Sequence, residues 1–122
     1  MLNRHCRGLT ASSVANCLYS RHAEQPKHLP GAIVNREHFN QSLANDQFNE
    51  VVEKSLSANE HNAAHSHPFD VRALVTQGDI TLTVDGVTTR YCEGEIFAMA
   101  AGCNHAEDVG VAGVTYLAGR RY

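Results

Sequence analysis

The stretch His65-Ser66-His67-Pro68-Phe69-Asp70-Val71-Arg72-Ala73-Leu74-Val75-Thr76-Gln77-Gly78 decides how this chain is read. Two histidines stand two residues apart in a segment that reads as extended, and in a strand residues i and i+2 face the same side. His65 and His67 are therefore expected to aim at one point. A third histidine, His105, follows a short apolar strand at Glu95–Met99 and a turn at Ala101-Gly102. Three imidazoles meeting at one point form a metal site with open coordination positions. The candidate metal ligands are His65, His67 and His105.

Working outward, short strands separated by glycine turns fill the C-terminal two thirds. Val71–Thr76 reads as a buried strand closed by Gln77-Gly78-Asp79. Ile80, Leu82 and Val84 alternate with Thr81 and Thr83, as in a half-buried strand. Asp85-Gly86 is the strongest hairpin signal, because both central residues of a type I′ turn need positive φ. Val87–Tyr91, Glu95–Met99, Asn104–Val109 and Val114–Ala118 follow as strands, with a turn expected between Gly110 and Gly113. Upstream, Phe48–Leu56 reads as a strand with Val52 and Leu56 on the Phe48 face. Phe39 and Leu43 flank a short turn or helix, and residues 59–62 read as a turn. This pattern predicts an all-β barrel or sandwich.

At 122 residues, 43% of them hydrophobic, the chain holds one domain at most. The formal charge of -3 comes without a basic stripe, so a nucleic-acid partner is not expected. No apolar run approaches the roughly 18 residues that span a bilayer, and no membrane partner is expected. The four cysteines, at 6, 17, 92 and 103, show no Cys-x-x-Cys spacing. A structural zinc knuckle and a disulfide framework are not expected, and a reducing, cytoplasmic location is the simplest reading. Residues 1–31 carry Arg4, Arg7 and Arg21 among serines, with no acidic residue before Glu24. They read as a loosely ordered extension with a short helix around residues 11–19, closed by Pro26 and Pro30-Gly31; an organellar transit peptide is the less favoured reading. The folded domain is expected over residues 32–122.

The spacing resembles the cupin superfamily, in particular small single-domain bacterial cupins of the RmlC-like type. The first cupin motif pairs His-x-His with a downstream glycine, matched by His65, His67 and Gly78. The second is matched by Gly94, Gly102 and His105, with Ala100 where proline is usual. The resemblance covers roughly residues 33–121 and implies a double-stranded β-helix, a jelly-roll-like barrel, commonly homodimeric. It departs at one position: the glutamate that cupins place four residues after the second histidine is Val71 here. A three-His site is therefore implied, as in iron dioxygenases acting on thiols and diketones. Asp70 is no substitute, because a one-residue shift in a strand reverses the face.

Imidazole suits several ions; the resemblance favours Fe2+, with Zn2+, Ni2+ or Mn2+ as alternatives. Cys103, His105 and Glu107 alternate and are expected to point inward. Glu107 is then a candidate supporting carboxylate or general base near the metal; the competing reading is a rim residue paired with Arg72 or Arg120. Cys103 reads as a small core residue, and Phe69, Leu74, Ile80, Leu82, Phe97 and Met99 as core. Met99 and Tyr116 are candidates to line the barrel mouth. Arg72 and Arg90 read as solvated, as do His5, His22, His28, His38 and His61. The leading functional expectation is a metal-dependent, dioxygenase-like oxidoreductase acting on a small molecule. The alternative is a non-catalytic small-molecule-binding or sensor barrel, and the third an isomerase or epimerase using Tyr91 or Tyr116.

Overall fold

The computed structural model describes residues 36–122. The extension over residues 1–31, its short helix, Cys6, Cys17 and the expected domain start at 32 lie outside the described residues. One helix, α1 (Arg36–Asn45), precedes six strands: β1 (Glu50–Leu56), β2 (His61–His65), β3 (Asp70–Val84), β4 (Val87–Cys92), β5 (Ile96–Met99) and β6 (His105–Arg121). Among the described residues no helix is long and apolar enough to cross a membrane.

Two long antiparallel strands, β3 and β6, form the spine. β6 pairs with β1 through residues 114–120 and with β2 through residues 105–108. β3 pairs with β5 through residues 71–74 and with β4 through residues 79–84. Between them, β3 and β6 pair from Asp70↔Arg121 to Thr83↔Ala106, with register shifts on both sides of Gln77-Gly78. Each long strand thus serves two four-stranded sheets, β1-β6-β3-β5 and β2-β6-β3-β4. The two halves meet where Gly78 (φ 76°) lies against Gly113 (φ 80°). A bulge with a left-handed glycine bends a strand without ending it.

This corrects two expected turns. Gln77-Gly78-Asp79 does not close a strand, and Gly110 and Gly113 lie inside β6. The Asp85-Gly86 hairpin is as expected, with φ of 52° and 80°. Residues 61–62, expected in a turn, begin β2.

The main core gathers inward-facing residues of both halves, among them Val71, Val75, Ile80, Leu82, Phe97 and Met99. A second cluster covers the outer face of the β1-β6-β3-β5 sheet. There Phe39 and Leu43 of α1 and the neighbouring Phe48 pack on Leu74 and its cross-strand partner Leu117. This explains the unbroken burial of Ala73–Val75, where one face meets the barrel and the other the helix. Phe48 therefore belongs with α1, not with Val52 and Leu56, which pack against the main core. The guanidiniums of Arg72 (4.7 Å) and Arg121 (4.4 Å) both lie over the Phe48 ring. Arg72 also pairs with Asp46 at 2.8 Å, so it is a packed residue and not a solvated one. Arg90 pairs with Asp79 at 3.0 Å.

Candidate metal centre

His65 is the last residue of β2, and its backbone stands opposite His105, the first residue of β6. His67 lies beyond β2, in the connection to β3, so the pair does not share one strand as the sequence suggested. Convergence is achieved differently. The His67 carbonyl accepts from the Gly102 amide at 2.8 Å, and its ring stacks on Phe69 with centroids 5.0 Å apart. The turn that presents His105 thereby also holds His67. Ring centroids are 4.5 Å apart for His65 and His105, 5.1 Å for His65 and His67, and 5.2 Å for His67 and His105. One donor nitrogen from each lies within 4.8 Å of the others.

The tautomers follow from the partners of the second ring nitrogens. His105 Nδ1 donates to the Cys103 carbonyl at 3.0 Å, and His65 Nδ1 to the Ala63 carbonyl at 2.7 Å. A carbonyl can only accept, so both protons sit on Nδ1 and both Nε2 atoms present a lone pair. His105 is 1% exposed, and its Nε2 is a buried polar atom without an aligned hydrogen-bond partner. Buried polar atoms are rarely left so. Three imidazole donors converging around such an atom fit a divalent ion.

Cys103, His105 and Glu107 all point inward, as the alternation predicted. Glu107 is not a rim partner of Arg72 or Arg120. Its Oε1 accepts from Asn62 Nδ2 at 2.8 Å, and its Oε2 lies 3.3 Å from His105 Nε2 and 3.8 Å from His65 Nε2. Asn62 stands opposite Glu107 in the β2–β6 register and was not singled out from sequence; an asparagine three residues before the first ligand carries no recognisable signal. Asp70 is no ligand: it pairs with Arg121 at 2.9 Å and accepts from the Ala101 amide at 2.8 Å. Val71, where the resemblance would place a glutamate, is buried. His61 is exposed and bonds Asp108 at 2.7 Å.

Burial works against protonating His105, but the adjacent Glu107 carboxylate and the Cys103 carbonyl outweigh it and hold the His105 pKa above the ordinary 6.5. Burial favours neutral Glu107, yet His105 and Asn62 outweigh that and keep the carboxyl below its usual 4.5. His67 is lowered, by burial first and then by the neighbouring His105 and His65 rings. In metal-free protein, the proton on His105 is therefore held more tightly in the folded than in the unfolded chain. That stabilisation is complete below 6.5 and is lost as pH rises through the raised folded value. Above 6.5, Glu107 is deprotonated in both states, while His67, held lower in the folded chain, adds an opposing rise in stability that is spent within about one pH unit above 6.5. The melting temperature of metal-free protein is expected to fall as pH rises above about 7.5, where His67 no longer contributes, and Glu107→Gln to flatten that fall. Thermal melts of both proteins across this range are the check.

A cavity of about 370 Å³ is lined by His65, His67 and Glu107. Phe69, Met99 and Tyr116 give it apolar walls, while Lys54 and Arg120 bring positive charge. Arg120 lies over the Phe69 ring at 4.9 Å and approaches Glu50 at 3.5 Å. Tyr116, expected at the mouth, both lines the cavity and packs in the core. Burial, and then Glu107, push its pKa up to about 12.

No family model matches the sequence, and no curated protein matches it. Solved structures do. An RmlC-like cupin from Shewanella frigidimarina is 18% identical, with a TM-score of 0.51 over 59% of this chain and 65% of that one. A protein with a double-stranded β-helix domain from Klebsiella pneumoniae is 20% identical, with a TM-score of 0.52 over 58% and 64%. The polyketide cyclase RemF from Streptomyces resistomycificus is 21% identical, with a TM-score of 0.52 over 59% and 54%. The chain spans less than two thirds of each of these proteins. At such identities the likeness is one of fold, and the fold is that of the cupins.

Proposed function

We propose that this cupin-fold chain is a metal-dependent enzyme acting on a small molecule, with His65, His67 and His105 holding a divalent ion. The observation that carries the reading is the convergence of three imidazole donors, including the unpartnered Nε2 of buried His105, beside a cavity that His65 and His67 line. A bound divalent ion supplies Lewis acidity there, and iron would add redox chemistry with dioxygen. The chain's own residues set the rest. Phe69 fixes the His67 ring and shields one wall of the cavity. Arg120 and Lys54 favour a substrate with an anionic group. Tyr116 stays protonated at neutral pH and offers a donor to a substrate oxygen. That a polyketide cyclase is built on the same fold supports an enzymatic use of such a cavity, without indicating this chain's substrate. Fe2+ with dioxygenase-like chemistry is the first choice; Zn2+, Ni2+ or Mn2+ would shift the expectation to hydrolytic or isomerising reactions.

Elemental analysis of untagged wild type beside His67→Ala tests this. Near-stoichiometric metal in the wild type and none in the variant is expected, followed by oxygen uptake with small thiols, diketones or phenols if the metal is iron. No metal in either protein, even after reconstitution, overturns the reading. Saturable ligand binding without turnover would make the barrel a binding module.

A further inference from the structure

We infer that the substrate of this site is a small carboxylic acid with an apolar body, its carboxylate received by Arg120 and Lys54 and its body directed toward the histidines. The inference rests on reading the cavity as the substrate site, and it names the group that the two cations receive.

Strand alternation places the cations. Val52 and Leu56 of β1 pack against the main core, so Lys54 between them shares their face and stands opposite Tyr116 of β6. On β6, Tyr116, Ala118 and Arg120 alternate, and all three line the cavity with Lys54. Inward positions of a small barrel ordinarily carry apolar side chains; two of these carry positive charge instead. The cavity does not neutralise them. Glu107, the one carboxylate among the residues lining it, is engaged by Asn62 and His105. Lys54 makes no ion pair among the described residues. Arg120 meets Glu50 through a long Nη1–Oε2 contact of 3.5 Å, while the other Glu50 oxygen accepts from Tyr122 Oη at 2.7 Å. A carboxylate gripped by both arms of a guanidinium makes two parallel bonds of about 2.7–2.9 Å, a grip that Glu50 does not take. Glu50 nonetheless shows that a carboxylate group reaches Arg120. Phe69 relates this end of the cavity to the histidines. Its ring centroid is 4.9 Å from the Arg120 guanidinium and 5.0 Å from the His67 ring, so no more than the sum of those distances separates the two. A phenyl ring or a short alkyl chain spans such a gap against the apolar walls of Phe69 and Met99.

Titration of metal-free full-length protein with benzoate, phenylacetate, butanoate and hexanoate, each beside its neutral amide, tests the inference by calorimetry or ligand-observed NMR. The acids that fit are expected to bind about tenfold more tightly than their amides, and Arg120→Gln to abolish that preference. Lys54→Gln, which removes an exposed cation, is expected to weaken the acids about threefold. Glu50→Gln, which removes the rival carboxylate, is expected to strengthen them about twofold. Amides that bind as well as the acids, a preference that survives Arg120→Gln, or no acid bound at millimolar concentration overturns the inference. Phenyl phosphate binding more tightly than benzoate also overturns it, in favour of a phosphate ester. Should Arg120→Gln fail to fold, the Nε–H resonance of Arg120 in the wild type decides. Movement on adding an acid but not its amide supports the inference, and no movement with either overturns it. Because these titrations need no metal, their failure leaves the three-His reading intact. A protein that binds the acids but no Co2+ supports the inference and overturns the metal reading alone.

Discussion

Gly78→Val is expected to abolish stable folding, with a loss above about 4 kcal/mol. Gly78 sits where β3 crosses from one sheet to the other, at a φ of 76° that L side chains rarely adopt. A Cβ there would fall onto the Gly113 carbonyl oxygen, 2.8 Å from the Gly113 carbonyl carbon and 3.0 Å from the Val114 Cα. All three atoms are backbone of β6, so no side chain can rotate away. Gly86→Ala provides the comparison. Its φ is 80°, but a Cβ there meets nothing within 4 Å, so only the conformational cost of about 1–2 kcal/mol applies. Equal losses for the two variants in denaturant titrations would show that the contact between the long strands is not what makes Gly78 necessary.

Phe48→Ala comes next, at about 3–5 kcal/mol. The ring is 2% exposed and joins α1 to the outer face of the sheet. Its loss opens a cavity among Phe39, Leu43, Leu74 and Leu117 and removes the surface on which Arg72 and Arg121 lie. Phe48→Leu keeps most of the volume and loses the two cation contacts, so about 1–2 kcal/mol is expected. The effect should reach the candidate metal centre. Arg121 holds Asp70, Asp70 holds the Ala101 amide, and the next residue, Gly102, binds the His67 carbonyl. Folded Phe48→Ala is therefore expected to bind Co2+ more weakly than wild type. Unchanged affinity would mean that the turn at 101–102 holds its place without Arg121.

Much of this was legible in residue order. The Asp85-Gly86 hairpin depended only on local φ preferences, which no distant contact contradicts. The histidine trio was legible because two short-range spacings happened to be joined by strand pairing. The inward set Cys103, His105 and Glu107 followed from alternation. The misreadings share a cause. Gly78, Gly110 and Gly113 look locally like turn residues, and whether a glycine ends a strand or bends it depends on the strand it faces. The apolar residues on either side, Val75 and Ile80 in β3 and Val109 and Val114 in β6, were the available sign that both strands continue. Phe48 and Arg72 were misplaced because α1 covers an outer face that alternation alone treats as solvent. Asn62 acquires meaning only from its cross-strand register with Glu107.

The pairing of β6 with β1, β2 and β3 also governs when the chain can fold. Glu50 waits for Arg120, seventy positions later, and Asp70 for Arg121. Until β6 has left the ribosome, β1 and β2 have no neighbour to bond, and β3 has only its short hairpin strands. Such distant pairings carry a large loop-closure cost before any return. Folding is accordingly expected to be slow and late, and a nascent chain lacking the last strand would expose open edges and half a core to whatever binds unfolded protein.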